Sequence, residues 1–430
     1  MPYLTAANDI KALIAKISQA KILWVDTEIA DYKSNPKLSL IQVLADSTDS
    51  TGDATFLLDV LDKPELAKDF ISQIMVNPDI EKVLHNASYD IRFLGNDDAQ
   101  NVTCTLKMAR KIPAYILPLP NRQLKTLIET LCGIAYVDKT EQSGDWAKRP
   151  LTQKQLEYAK MDAVYLVQVH RRLREILAQC YPEPATENLT ALGEKYQEIE
   201  SQWKPLDVEF AEVKERFKAG MLAQKLKDSS YFELSSSITM KVDFITLARL
   251  TQTEGIELNF PVTLTKEIQK QLGEIITYPS LEVEDIASWR LNSNVQQRRK
   301  STKKVAPEPA TEDLTALGER YKQILPEWKL LDSEVEHLKE RIKKAMLVQN
   351  KGNTPHFKLS SSSILKVDFA SLAKLALSAG VELDFMVTLT QYIQKQLKET
   401  INKIDVQIEY ITSWRMTAKT VEDEDEEIPF

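Results

Sequence analysis

The sequence predicts an α/β domain followed by a duplicated, helix-rich region. Three observations point there. Residues 1 to about 180 alternate β-prone apolar runs with helical patterns, the remainder is dominated by long helical patterns rich in Glu, Lys and Leu, and that remainder reads twice. At 430 residues and 43% hydrophobic content, the chain has length for two or three domains and apolar material for their cores. A formal net charge of -8 argues against a generally basic nucleic-acid coat and confines any such site to a local patch. Cys104, Cys132 and Cys180 match neither a CxxC zinc pair nor a disulfide framework and read as reduced thiols. The N-terminus lacks a signal-peptide core and no apolar run approaches membrane-spanning length, so a soluble, cytoplasmic chain is expected.

The first informative element is ILWVDTEIA, a β-prone run from residue 22 that ends in two acids, Asp26 and Glu28. Strand side chains repeat every two residues, so both acids share one face and Thr27 takes the other. Like charges near a core are costly unless a cation neutralises them, although a strand end dipping into solvent reads equally well from this pair alone. KVLHNASYDIRFL, residues 82 to 94, gives a short strand ending at His85 and Asn86, then a helix carrying Asp90 in its first turns, where an acid also suits the helix dipole. LTQKQLEYAKMDAVYLVQVHRRL, residues 151 to 173, places Tyr158 and Asp162 four apart on one helical face.

A strand with D-x-E, a strand-to-helix junction with Asp and a late helix with Y-x-x-x-D form the signature of the DEDD 3′-to-5′ exonucleases, tyrosine subclass. Over most of residues 20 to 175 the chain resembles the exonuclease domain of the ribonuclease D family, with LSLIQV, HNASYDIRFL, NRQLKTLIETLCGI and QSGDWAKRPLTQKQLEYAKMDAVYL in order. The histidine subclass would carry His one residue before Tyr158, where Glu157 stands. The resemblance implies a ribonuclease-H-like mixed sheet flanked by helices. It also implies a metal shell of Asp26, Glu28, Asp90 and Asp162 for two Mg²⁺ or Mn²⁺ ions, and hydrolysis of RNA 3′ ends. Phosphodiester displacement suits two divalent ions about 4 Å apart, and hard oxygen ligands suit those metals. Tyr158, with an ordinary pKa of about 10, is a poor base at neutral pH and is expected to orient the attacking water.

Further implied substrate contacts are Thr27 and Gln42 near the terminal nucleotide and Asn86 and Tyr89 along the strand being degraded, with packing an equal reading for Gln42 and Tyr89. Trp146, Lys148 and Arg149, an aromatic beside two cations, could stack a base and hold phosphate. His85 reads as a packed histidine, and His170 has no evident role. Two departures stand out. No helical nucleic-acid-binding domain of the type that usually follows ribonuclease D is recognisable, and Cys104 stands where relatives commonly carry an acid.

The duplication aligns PATENLTALGEKY at 184 with PATEDLTALGERY at 309 without a gap down to IASWR and ITSWR, with about half of the positions identical. The expected organisation is an exonuclease domain over 1–180, repeat copy 1 over 184–292, a basic linker over 293–308, copy 2 over 309–417 and an acidic tail over 418–430. Each copy opens on a 3,4 spacing of apolar residues, Leu189 to Phe217 and Leu314 to Ile342, which predicts a helix about 40 Å long, with Pro205 placed to kink the first. A short β stretch and two further helical runs follow, with Trp289–Arg290 and Trp414–Arg415 read at helix ends. The helical stripes need cover, by default from within the chain, otherwise from self-association or a protein partner. Arg298, Arg299, Lys300, Lys303 and Lys304 could touch phosphate. Two rivals to the RNA exonuclease stay open: the same chemistry on single-stranded DNA, and a non-catalytic scaffold acting through the repeats.

Overall fold

The computed structural model describes residues 2–135, 137–277, 281–294 and 308–419. The cationic residues of the expected linker and the acidic tail beyond Lys419 lie outside these described residues. The chain divides into two units, Met1–Glu183 and Pro184–Thr420.

In the first unit, strands β1 (Tyr3–Leu4), β2 (Ile22–Ala30), β3 (Lys37–Leu44), β4 (Phe56–Asp59), β5 (Glu81–Leu84) and β6 (Val102–Cys104) form one mixed sheet in the order β1-β4-β3-β2-β5-β6. β3 runs antiparallel to β2 and β4, and the β1–β4, β2–β5 and β5–β6 pairs are parallel. Helices α1 (Ala7–Ile17), α2 (Pro64–Phe70), α3 (Thr105–Lys111), α4 (Leu124–Leu131) and α5 (Gln153–Cys180) complete the unit. This is the ribonuclease-H-like mixed α/β architecture that the sequence predicts.

β2 is apolar on both faces because both are covered. Leu23 and Val25 join Ile10, Ile14, Leu66 and Phe70 of α1 and α2, whereas Trp24 packs with Ala163, Val164 and Val167 of α5. α1 buries Ile10, Leu13, Ile14 and Ile17, one stripe of a 3.6-residue period. α5 starts at a capping box: the Thr152 hydroxyl accepts from the Gln155 backbone, and the Gln155 side chain accepts from the Thr152 backbone. That start fixes Tyr158 and Asp162 in the early turns, facing β2. One element differs from expectation. Asp90 opens only a three-residue 3-10 turn, Asp90–Arg92, after a left-handed Asn86 (φ 49°), so no helix dipole bears on it.

The second unit contains α6 (Leu189–Ala223), β7 (Phe232–Asp243), α7 (Phe244–Glu254), β8 (Pro261–Leu264), α8 (Lys266–Leu272) and β9 (Glu284–Ser293). The second copy repeats them as α9 (Leu314–Val348), β10 (Phe357–Asp368), α10 (Phe369–Ala379), β11 (Met386–Thr388), α11 (Gln391–Leu397) and β12 (Glu409–Ala418). The repeat boundaries describe the sequence, but in space the copies interlock. The sheets are β8-β10-β9 and β11-β7-β12, so each long strand pairs with strands of the other copy.

α6 and α9 cover one another's apolar stripes in opposite directions: Tyr196 lies with Leu338 and Ile342, and Phe210 and Phe217 lie with Leu317 and Ile324. Polar contacts recur in matched pairs. Trp203 donates to Asp332 at 3.1 Å and Trp328 to Asp207 at 3.0 Å, while Arg216 binds Glu312 and Arg341 binds Glu187. The default reading of the stripes, cover from within the chain, describes this arrangement. α6 is continuous through Pro205, and Trp289 and Trp414 lie on β9 and β12 rather than at helix ends. β12 alternates, with Trp414, Met416 and Ala418 packed against the core of Phe210, Phe217 and Phe232 and with Arg415 and Thr417 exposed, a period of two rather than a helical one.

Candidate active site

β2 turns Asp26 and Glu28 toward α5, which answers with Tyr158 and Asp162 one helical turn apart. One carboxylate oxygen each from Asp26, Glu28 and Asp162 lies within 4.8 Å of the others. Asp90 and Tyr158 line the same cleft, together with Thr27, Asn86 and Tyr89. Burial, then the adjacent Asp26 and Asp162, push the Glu28 carboxyl well above the ordinary carboxylate range. Burial, then Asp162, Glu28 and Asp26, push the Tyr158 hydroxyl far above its ordinary value, so it remains a neutral phenol.

Three converging hard oxygen donors with an excess of negative charge, and no sulfur or imidazole among them, fit a divalent cation. Lys139 already brings positive charge to the acids. Its Nζ lies 3.1 Å from Asp162 Oδ1 and 3.3 Å from the Tyr158 hydroxyl.

Several residues expected at the substrate are taken up by contacts within the protein. Gln42 is fully buried behind the acids and donates from Nε2 to Glu28 Oε1 at 3.1 Å. Thr27 lines the cleft, but its hydroxyl donates to Asp90 Oδ1 at 2.5 Å. Trp146 borders the cleft but is 2% exposed, in a core with Leu40, Leu57, Leu151 and Ala159 and with its ring tilted 6.2 Å from that of Tyr158, which leaves little of the ring for a base to stack on. Arg149 grips Asp59 with two prongs, Nε to Oδ2 at 2.7 Å and Nη2 to Oδ1 at 2.9 Å, and serves the fold. Lys148 is exposed and does not line the cleft.

His85 is packed, its Nδ1 2.9 Å from Thr105 Oγ1, and burial followed by the charges of Lys139 and Arg110 lowers its pKa to about 3. His170 has a structural partner, accepting from Trp24 Nε1 at 3.3 Å. The residue that sequence reasoning missed is Lys139. It stands in the irregular stretch between α4 and α5, where neither periodicity nor paired charge singles it out.

Clustered oxygen donors beside a neutral phenol, at the edge of a ribonuclease-H-like sheet, are the equipment of a metal-assisted phosphodiesterase. Residues 2–178 match the 3′-5′ exonuclease family, and this segment is a 3′-5′ exonuclease domain with ribonuclease D and RRP6 relatives. Protein RRP6-like 3 of Arabidopsis thaliana is 29% identical over 185 residues, covering 43% of this chain and 20% of that protein. Ribonuclease D of a Shewanella species is 25% identical over 340 residues, covering 77% of this chain and 80% of that protein. The crystal structure of Escherichia coli RNase D is similar with a TM-score of 0.34 and 24% identity, over 47% of this chain and 54% of that one. The chain thus spans about a fifth of the length of the RRP6-like plant protein but most of that of the bacterial ribonuclease D.

Proposed function

We propose that the chain removes nucleotides from RNA 3′ ends by phosphodiester hydrolysis, with two divalent cations, Mg²⁺ or Mn²⁺, held by Asp26, Glu28, Asp90 and Asp162. The observation that carries this reading is the convergence of the Asp26, Glu28 and Asp162 oxygens beside the Tyr158 hydroxyl. Bound cations supply Lewis acidity and charge neutralisation at the scissile phosphate. The protein's own groups do the rest. Tyr158, kept neutral by its surroundings, orients the attacking water through its hydroxyl. Lys139 offers a compact positive charge to a phosphate oxygen from beside Asp162. Asn86 and Tyr89, on the cleft wall, guide the strand that enters. RNA is favoured over DNA by the bacterial relative, named ribonuclease D, which matches over most of its length.

The test is a 3′-end degradation time course on matched single-stranded RNA and DNA with Mg²⁺ or Mn²⁺, comparing wild type with Asp26→Asn. Stepwise RNA shortening that falls by at least about 10³-fold in Asp26→Asn is the expected outcome. Equal shortening of DNA would replace RNA by single-stranded nucleic acid in general as the substrate class. No shortening of either polymer with either metal would overturn the enzymatic reading and leave the scaffold.

A further inference from the structure

We infer that Thr27 and Gln42 are positioning residues, two uncharged donors that hold the carboxylates of Asp90 and Glu28 in the orientation in which they take the cation. This rests on the metal-site reading above and adds to it the source of the site's rigidity.

A carboxylate on a flexible stem makes a poor ligand until something fixes its plane, and that service falls to groups behind the ligands. Gln42 is placed for it. In the β2–β3 ladder it stands directly across from Asp26, which makes Glu28 its diagonal neighbour on the same face, within reach of a long side chain. Its Nε2 takes up that diagonal contact at 3.1 Å. Full burial denies Gln42 any contact with an incoming nucleotide.

The far end of the same amide strengthens the point, since Gln42 Oε1 is buried without a hydrogen-bond partner among the described residues. A buried amide oxygen left without a donor costs stability. With Glu28 ionised, as a cation ligand must be, turning the amide over would set an acceptor against a carboxylate oxygen. The orientation is therefore dictated by the acid.

Thr27 does the matching work from the other face of β2. Strand alternation points it away from the acids beside it, so its hydroxyl reaches Asp90 Oδ1, which arrives from the turn after β5. Each acid is thus held by an element other than its own: β3 holds Glu28 of β2, and β2 holds Asp90 of the turn. The choice of neutral donors matters. A Lys or Arg in either place would hold a carboxylate as well but would cancel charge that the cation needs, whereas an amide and a hydroxyl orient the ligands and leave their charge available.

The test uses the full chain with Thr27→Val, Thr27→Ser, Gln42→Met and Asp26→Asn, measuring Mn²⁺ affinity by electron paramagnetic resonance and kcat and KM for a single-stranded RNA. Thr27→Val and Gln42→Met are expected to weaken Mn²⁺ binding by about 10-fold or more while KM for RNA at saturating metal stays unchanged, and Thr27→Ser is expected to restore binding. Wild-type Mn²⁺ affinity with a raised KM in Thr27→Val and Gln42→Met would make both residues substrate contacts and overturn the proposal. If Asp26→Asn also binds Mn²⁺ like wild type, the metal-site reading fails with it; if only Asp26→Asn loses binding, the failure belongs to the positioning roles alone. Should Gln42→Met fail to fold, the Thr27→Val and Thr27→Ser pair decides the matter, because the two differ chiefly in a hydroxyl.

Discussion

Glu28 and His85 are both buried in the wall of one cleft, and burial moves each toward its uncharged form. For His85 the consequence is a pH dependence of stability. The unfolded chain takes up this proton near pH 6.5, the folded chain only near pH 3, so between those values the unfolded state binds more protons. The contribution is intact above pH 6.5 and is lost as pH falls, at about 1.4 kcal/mol per pH unit. Melting curves from pH 7 to pH 4 should show His85→Gln declining less steeply than wild type; parallel declines would mean that the imidazole is not held neutral. At this scale the spacing shows only that Asp26 and Glu28 share one face of β2 and Tyr158 and Asp162 one face of α5; with Asp90, which follows no period, they were legible as a site through the resemblance to a family signature. Gln42 and Arg149 were not, since their partners, Glu28 and Asp59, are set by strand register and by a distant strand end. Gln42 had been placed at the substrate by the family resemblance and Arg149 by its residue type.

At the scale of elements, α6 and α9 carry matching glycines in their second turns, Gly193 and Gly318, where alanine would ordinarily be favoured by about 1 kcal/mol. Both are needed for close approach. A Cβ at Gly193 would collide with the His356 ring, and one at Gly318 with the Tyr231 ring, each ring coming from the other copy. Gly193→Ala and Gly318→Ala should therefore each destabilise the second unit by about 1–2 kcal/mol despite the better helix former, read from the urea midpoint. A gain in stability from either would show that the rings yield freely. The apolar spacing of these helices was plain in the sequence, as was the need for cover. The exchange of strands was not, because β7 and β10 carry nearly the same residues and local pattern cannot distinguish pairing within a copy from pairing across copies.

For the whole molecule, the exchange means that the duplicated region is one structural object. Each of its long strands completes a sheet of the other copy, and the two helices share one seam. If a protease site is placed among residues 298–304, outside the described structure, and cut, the copies are expected to co-elute on gel filtration without denaturant. Separation into two folded fragments would contradict the interlock. The pairing of Phe232 with Ala418 also bears on how the chain is made. The ribosome delivers residues one after another at about 5–20 per second, so β7 waits on the order of ten seconds before β12 emerges to receive it. The strands of the exonuclease domain, by contrast, are all present by residue 104 and can pair by then. Nascent β7 thus leaves the tunnel with an unpaired edge, and Phe232 with only the α6 side of its core, Phe210, Phe217 and Met221, until Leu317 and Ile324 follow. Newly made chains should depend on chaperones over this interval, and the dependence should end when the last strand is translated.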